Sequence, residues 1–399
     1  MASNPTLRLH LWCPDIFGFK GGIQVYSAFL LEAIRQILPG DECAVFLKHD
    51  KDVPLDNGKS NGHSSPRFHA CGKWPMPLRT SAFAAQIING ALRHQPDLII
   101  TTHLNFTPAA YWLKRARGIP FWTIAHGVEA WNVRRPNLQK ALRQADQILS
   151  VSHYTRERLL AEQGIAPAKV GLLPNTFDAG RFRIGPKPAH LLRRYGLTAE
   201  QPIILTVARL VASEQYKGYA SILKAMPEIT RHIPNAHYII VGKGNDRPHI
   251  EQLIGDLDLA GRVTLTGYIP DEELCDHYNL CDVFAMPSKR EGFGIVYLEA
   301  LACGKPTLAG NKDGAADALR NGEMGILVDP DDVGAIASVL VDVLQGRYRH
   351  PLLYQPEALR QKVIAHFGFS SFKERLAGNL DEFFNHERVR AHSSACTEA

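Results

Sequence analysis

Short apolar runs with no polar face alternate with amphipathic helical stretches along this chain, and the alternation occurs twice. In the first half residues 7–12, 43–47, 98–101, 121–125 and 148–151 read as strands, with helical stretches such as 24–38 and 82–93 between them. In the second half 203–208, 237–241, 263–266 and 283–286 read as strands, and 220–232, 248–257 and 295–303 as helices. A strand that is apolar on both faces must be covered on both, and a helix after each strand supplies the cover, as in a parallel sheet. The fold class expected is therefore α/β, with two doubly wound, Rossmann-like parallel-sheet domains in tandem.

A length of 399 residues suits two such domains better than one. The boundary falls within residues 177–197, where Asp178, Gly180, the Gly185-Pro186-Lys187-Pro188 run and Arg193-Arg194 break the periodicity. The expected division is a first domain over 1–185 and a second over 186–368. Phe369, Phe372, Leu376, Leu380 and Phe383 then mark a packed terminal helix over 369–387, followed by a tail over 388–399. Tandem sheets of this kind bind ligands in a cleft lined by loops at the carboxyl ends of the strands. Function is therefore sought in loops that follow strands.

Several classes are excluded. No stretch approaches the roughly 18 apolar residues of a membrane span, and the first residues lack a signal-peptide pattern, so a cytoplasmic location is expected. The seven cysteines form no Cys-x-x-Cys and read as reduced, mostly buried thiols. The net charge of +5 is uneven: residues 1–185 carry 22 Lys and Arg against 13 Asp and Glu, while the remainder is acidic. Groups such as Lys114, Arg115, Arg117 and Arg134, Arg135, Lys140, Arg143 suit an anionic membrane surface or a phosphorylated substrate, although solvated helix faces are the plainer reading. No basic run is interleaved with stacking aromatics, which argues against nucleic acid. A P-loop, Gly-x-x-x-x-Gly-Lys-Ser/Thr, is absent.

The strongest chemical signal follows the apolar run 283–286. Glu291, Gly292, Phe293, Gly294, Ile295 and Val296 turn through two glycines into a helix that carries Glu299. The free amides of Gly294, Ile295 and Val296 at such a helix start form an anion site. Glu291 and Glu299 would flank the anion, and carboxylates accept paired hydroxyl hydrogen bonds, which suits sugar and ribose rings on either side of a diphosphate.

This segment resembles the Glu, seven residues, Glu signature of the family 4 retaining glycosyltransferases, which have the GT-B fold of two facing Rossmann-like domains and a C-terminal helix that packs back towards the first. Members of the bacterial cell-surface polysaccharide type are the nearest in kind. Further landmarks run from Gly21-Gly22 through Ala125-His126-Gly127, residues 150–157, Leu173-Pro174-Asn175 and Ala208-Arg209-Leu210 to Leu265-Thr266-Gly267.

The resemblance implies roles. Arg209 and Lys217 would lie on the donor diphosphate and stabilise the charge growing on the leaving nucleotide, although residues 212–216 lengthen the usual loop before Lys217. Gly21 and Gly22, in themselves only a turn, would let backbone amides approach the diphosphate and shape the acceptor site. His126 would contact the donor sugar, where an isolated histidine is otherwise a structural hydrogen-bonder. His103 also follows a strand and carries less signal. Gly242 would belong to a glycine turn on the nucleotide side, and Tyr268 and Ile269 would touch the base through backbone atoms. Residues 310–314 depart from the usual glycine pair followed by Pro-Glu. Asp256-Leu257-Asp258 formally matches the metal-binding Asp-x-Asp of the other glycosyltransferase fold, but it lies in an amphipathic stretch and reads as a solvated face.

The activity implied is retaining transfer of glucose or a related hexose from a UDP-sugar to an acceptor hydroxyl, on a lipid-linked saccharide in polysaccharide biosynthesis. No metal and no cofactor beyond the nucleotide sugar is expected. Two other readings stay open: a GT-B nucleotide-sugar epimerase, for which no acid/base groups are located, and a dinucleotide-dependent oxidoreductase, whose glycine fingerprint is missing. A scaffold gives no reason for Arg209, Lys217, Glu291 and Glu299 to occur together.

Overall fold

The computed structural model describes residues 6–18, 21–53 and 65–397. It divides into two compact units, Met1–Asn175 with Phe369–Ala399, and Thr176–Gly368. In the first, β1 (Arg8–Cys13), β2 (Glu42–Leu47), β3 (Arg67–Ala70), β4 (Leu98–Thr101), β5 (Phe121–Ala125), β6 (Gln147–Ser150) and β7 (Val170–Leu172) form one sheet in the order β3-β2-β1-β4-β5-β6-β7. Every pairing is parallel. β4 and β5 are buried along their whole length, as their two apolar faces require. β3 was not legible, because Arg67-Phe68-His69-Ala70 is a half-exposed edge strand with no apolar run.

The terminal helix belongs to this first unit. Phe372, Leu376 and Leu380 recur every fourth residue and are buried, with the Phe372 ring edge-on to Tyr26 at 5.5 Å and Phe383 edge-on to Trp122 at 5.3 Å. It runs over Phe369–Thr397, so the expected tail from 388 is helical up to 397. No proline or glycine follows Gly378 to stop the helix.

The second unit carries β8 (Ile203–Val207), β9 (His237–Val241), β10 (Val263–Gly267), β11 (Val283–Met286), β12 (Thr307–Gly310) and β13 (Ile326–Val328) in the order β10-β9-β8-β11-β12-β13, again all parallel. Its core packs Ile204, Tyr238, Ile240, Val283 and Leu308 of the sheet against Leu223, Met226, Ile250 and Leu340 of the covering helices. Strand order reverses between β8 and β11, and in a doubly wound sheet the carboxyl ends of the strands at such a reversal are where ligands bind. The units part after Asn175, ten residues before the expected boundary at 185. The proline- and glycine-rich stretch is held on the second unit: Gly185 N donates to Asn279 Oδ1 at 2.9 Å, Arg360 Nη2 donates to Ala179 O at 2.6 Å, and Phe182 packs on Tyr278. Among the described residues no helix is long and apolar enough to cross a membrane.

Candidate active site

The loop after β8 passes Arg209, makes a short 3-10 turn over Ala212–Lys217 and enters the Tyr219–His232 helix through Gly218. Gly218 has φ +85°, and a Cβ there would lie 2.2 Å from Pro287 O, so only glycine admits this approach. Lys289 N donates to Tyr216 O at 2.9 Å. The loops after β8 and β11 thus lie backbone against backbone, and Lys217 forms an ion pair with Glu291 although 74 residues separate them. Burial opposes the Lys217 ammonium, but the charge and hydrogen bond of Glu291 outweigh it and hold its pKa above the usual value. Arg209 is more exposed and engages Glu214 of its own loop.

The loop after β9 braces this arrangement. Gly242 has φ +145°, and a Cβ on Gly242 or Gly244 would lie 1.8 Å from a carbonyl oxygen, of Ala208 or Leu210. The weak glycine signal therefore has a steric cause. Asp246, which the sequence did not single out, is buried and accepts hydrogen bonds from Tyr219 Oη at 2.5 Å and Gln215 Nε2 at 2.8 Å, so it anchors both ends of the Lys217 turn. An aspartate two residues past a glycine turn was the available clue.

Glu291 is held from behind by residues 310–314, the stretch that departs from the family pattern. Asp313 is buried and accepts from Glu291 N at 2.7 Å, Ser288 Oγ at 2.7 Å and Ala315 N at 3.0 Å. Burial raises its pKa to about 6 despite these donors. Gly314 N donates to Glu291 O at 2.8 Å, and a Cβ on Gly310 or Gly314 would lie 2.0 Å from Ser288 O or Gly292 O. Asp313 is thus a second residue that the motif reading missed.

Gly294 (φ +85°) opens the Ile295–Ala302 helix without a side-chain cap. The first-turn amides, Ile295 and Val296 among them, have no intrahelical acceptor and sit at the positive end of the helix dipole. Phe293 is buried and packs edge-on to Phe367 at 5.4 Å. Glu299 is only 8% exposed and accepts from Tyr278 Oη at 2.7 Å. Burial raises its pKa to about 7, against the Tyr278 hydrogen bond, which favours the ionised form. The two carboxylates therefore do not stand open on either side of the helix start: Glu291 faces Lys217 and Glu299 faces Tyr278. At the end of β10 Tyr268 is exposed with Lys243 Nζ 4.7 Å over its ring, and Ile269 is buried. Asp256 ends the Arg247–Asp256 helix and Asp258 lies beyond it with φ +52°, so this pair straddles a helix end instead of lying within the helix. Among the described residues no group of three or more His, Cys, Asp or Glu is placed to hold a metal ion.

In the first unit Gly21 caps the Gly22–Ile37 helix in an extended conformation, no side chain caps that helix, and nothing lies within 4 Å of a Cβ built on Gly22. The preceding loop is pinned by Asp50, whose carboxylate accepts from the amides of Ile16 at 2.7 Å and Gly18 at 2.6 Å. His126, at the end of β5, has Nε2 3.0 Å from Thr102 O. A carbonyl only accepts, so Nε2 carries the proton and Nδ1 is left as an acceptor. Burial pushes the His126 pKa down to about 3, and the ring is neutral at physiological pH. His103 caps a 3-10 turn by accepting from Asn105 N at 3.1 Å, a local structural role.

Residues 20–181 match the family described as Glycosyltransferase Family 4, and residues 191–360 match Glycosyl transferases group 1. A GDP-mannose-dependent alpha-(1-6)-phosphatidylinositol monomannoside mannosyltransferase of Mycolicibacterium smegmatis is 38% identical over 231 residues, which cover 55% of this chain and 59% of that relative. The protein of the same name from Mycobacterium tuberculosis is 34% identical over 64% of this chain and 68% of its own length. Among solved structures, a sucrose-phosphate synthase from Thermosynechococcus elongatus superposes with a TM-score of 0.76 at 22% identity, covering 95% of this chain and all of that one. Anabaena HepE, crystallised with UDP and glucose, superposes with a TM-score of 0.74 at 19% identity over 94% of this chain and all of its own. At these identities the structural matches speak to the fold of two Rossmann-like domains. Sequence and fold together place the chain in the glycosyltransferases of family 4, with a group 1 glycosyltransferase domain as its second half.

Proposed function

We propose that this protein moves a hexosyl group from a nucleoside diphosphate sugar to a hydroxyl of a lipid-linked acceptor, with retention at the anomeric carbon. The observation that carries the reading is the Lys217–Glu291 pair, set beside an uncapped helix start where the strand order of the second unit reverses. Lys217, with Arg209, would balance the charge that builds on the leaving diphosphate, and the amides of Ile295 and Val296 would take its oxygens. Glu291 would exchange its lysine partner for sugar hydroxyls, and Glu299 would accept the ribose hydroxyls while Tyr278 holds its second oxygen. Gly242, Tyr268 and Ile269 would meet the base. His126 would accept one sugar hydroxyl at Nδ1, and a ring with its pKa pushed down to about 3, its one proton held on Nε2 by Thr102 O, orients that hydroxyl and does not take up its proton. The proton of the acceptor hydroxyl passes to a leaving phosphate oxygen on the same face, so no enzymic nucleophile is invoked. Side-chain cations supply the countercharge, and activity is expected to survive a chelator.

The family resemblance implies a UDP-sugar. The names of relatives 34–38% identical favour GDP-mannose, and we adopt GDP-mannose as the first donor and UDP-glucose as the second. A lipid acceptor is supported by those same names and by a surface of the first unit where Trp74, Met76 and Leu78 are 52%, 77% and 54% exposed beside Lys73 and Arg79. Apolar side chains rimmed by cations fit an anionic lipid surface.

Calorimetry of GDP, UDP and NAD binding to metal-free wild type and Glu299→Ala tests the reading. Binding of GDP or UDP that weakens in the variant supports it, and binding of NAD alone, or of none, overturns it. Incubation of each nucleotide sugar without acceptor separates transfer from epimerisation, since only an epimerase returns an altered nucleotide sugar.

A further inference from the structure

Two cysteines lie together in the second unit on the helices that support Glu299. Cys275 is in the Leu274–Leu280 helix and is partly exposed, while Cys303 closes the Ile295–Ala302 helix and is buried. Their sulfurs are 3.9 Å apart, in contact but unbonded. Arg183 N and Asn279 Nδ2 each lie 3.5 Å from the Cys275 sulfur as donors that suit a thiolate, while Arg183 O, 3.6 Å away, accepts from the thiol form. Tyr278 follows Cys275 by three residues and Glu299 precedes Cys303 by four, and the Tyr278–Glu299 hydrogen bond joins the same two helices one turn away.

We propose that Cys275 and Cys303 are a dithiol site that a small-molecule disulfide of the glutathione class oxidises to an intramolecular disulfide, and that this bond alters nucleotide binding through Tyr278 and Glu299. In the first step the Cys275 thiolate attacks one sulfur of the disulfide, forms a mixed disulfide and releases one thiolate. The Cys303 thiol then gives up its proton, its sulfur attacks Cys275 Sγ, and the second small thiolate leaves. Two protein thiols are oxidised by two electrons and one small disulfide is reduced to two thiols. A low-pKa, accessible cysteine beside a buried resolving partner is the arrangement such chemistry needs. The hydrogen bond from the Cys303 thiol holds the Cys275 pKa down at about 6 against the opposing effect of burial, with Arg183 in support and Asp276 opposed. Burial pushes the thiols of Cys13, Cys43 and Cys281 up to about 12, so they do not compete. The hydrogen bond to Cys275 and burial push Cys303 up as well, so Cys275 attacks first and Cys303 gives up its proton only after the mixed disulfide has removed the Cys275 charge. Bond formation draws the sulfurs from 3.9 Å to about 2 Å, a shift between two helices joined by the Tyr278–Glu299 bond.

The cross-link itself is independent of the activity, and only its effect on the nucleotide rests on the reading above. The full chain is treated with oxidised glutathione and mapped by trypsin and mass spectrometry. The expected result is loss of two hydrogens, with the fragments 263–289 and 291–312 joined and a reductant reversing the change. Cys303→Ala, treated at about pH 9 because Cys275 then lacks the hydrogen bond that holds its pKa down, should instead trap a single glutathione on Cys275, and Cys275→Ser should show neither product; circular dichroism checks that both variants fold. Wild type that stops at the glutathione adduct, or a link that persists in Cys275→Ser, overturns the dithiol site. Affinity for GDP or UDP should fall by about threefold or more on oxidation of wild type and stay level in Cys303→Ala; equal affinities in both states of the wild type overturn the control. If neither nucleotide binds the reduced protein, the functional reading fails and the mass map alone decides the cross-link.

Discussion

Lys217 and Glu291 neutralise one another in a setting where each is 16% exposed, so removing either leaves the other without its partner. Lys217→Ala should lower kcat by roughly 10²- to 10³-fold, the usual cost of losing a transition-state charge partner. Because the two residues act as a unit, Lys217→Ala with Glu291→Ala should lose far less than the product of the single losses, which steady-state kinetics on the four proteins of the cycle will show. At Glu299 the fold favours the protonated acid, with a pKa of about 7 against an ordinary 4.5. Between those values the native state binds more protons than the unfolded chain, so this group's contribution to stability is present at low pH and is lost as pH rises through 7. Glu299→Gln should therefore gain on wild type between pH 5 and pH 8, by up to about 3 kcal/mol in urea titrations. A difference that does not change with pH would contradict the buried acid. Glu291 and Glu299 were legible as candidates from their eight-residue spacing across a glycine turn and helix start, and Arg209 and Lys217 from the loop that follows a strand. Asp246 and Asp313 were not, since each acts by accepting hydrogen bonds from residues 22 to 31 positions away.

At the scale of elements the loops after β8 and β11 carry the candidate site, and glycines set how near they come. Gly218→Ala places a Cβ 2.2 Å from Pro287 O at a φ of +85°, and both faults require the Lys217 turn to move off the β11 loop. Loss of about 2–4 kcal/mol is expected, read as a lowered Tm, with nucleotide affinity falling as Lys217 leaves Glu291. The terminal helix matters in a different way. Phe372 is fully buried against Tyr26 in the first unit, and Phe372→Ala should cost about 3–5 kcal/mol in thermal or urea unfolding. Strands with two apolar faces were readable to within a residue or so, as β4, β5, β9 and β11 show. β7 and β13 have three residues each, and β3 is polar, so none offers a period long enough to read.

At the scale of the whole molecule, each unit has a parallel sheet with its own core, and the chain returns to the first unit through the terminal helix after completing the second. The excess positive charge falls in the first unit, where Trp74, Met76 and Leu78 stand exposed. Replacing Trp74 and Met76 with serine should at least halve sedimentation with anionic vesicles and leave nucleotide affinity in the second unit unchanged; equal sedimentation would remove the lipid-facing reading of this surface. Periodicity and local motifs by themselves determined the fold class, the two-domain organisation and the glycine-turned helix start, because those are set by which residues must be buried and which backbones must turn. Tertiary structure alone decided that Lys217 meets Glu291, that Asp313 holds the Glu291 backbone, that Glu299 is a buried acid beside Tyr278 and that Cys275 and Cys303 meet between two helices. Each depends on strands far apart in sequence becoming neighbours in a sheet, and charge, burial and pKa are properties of that neighbourhood.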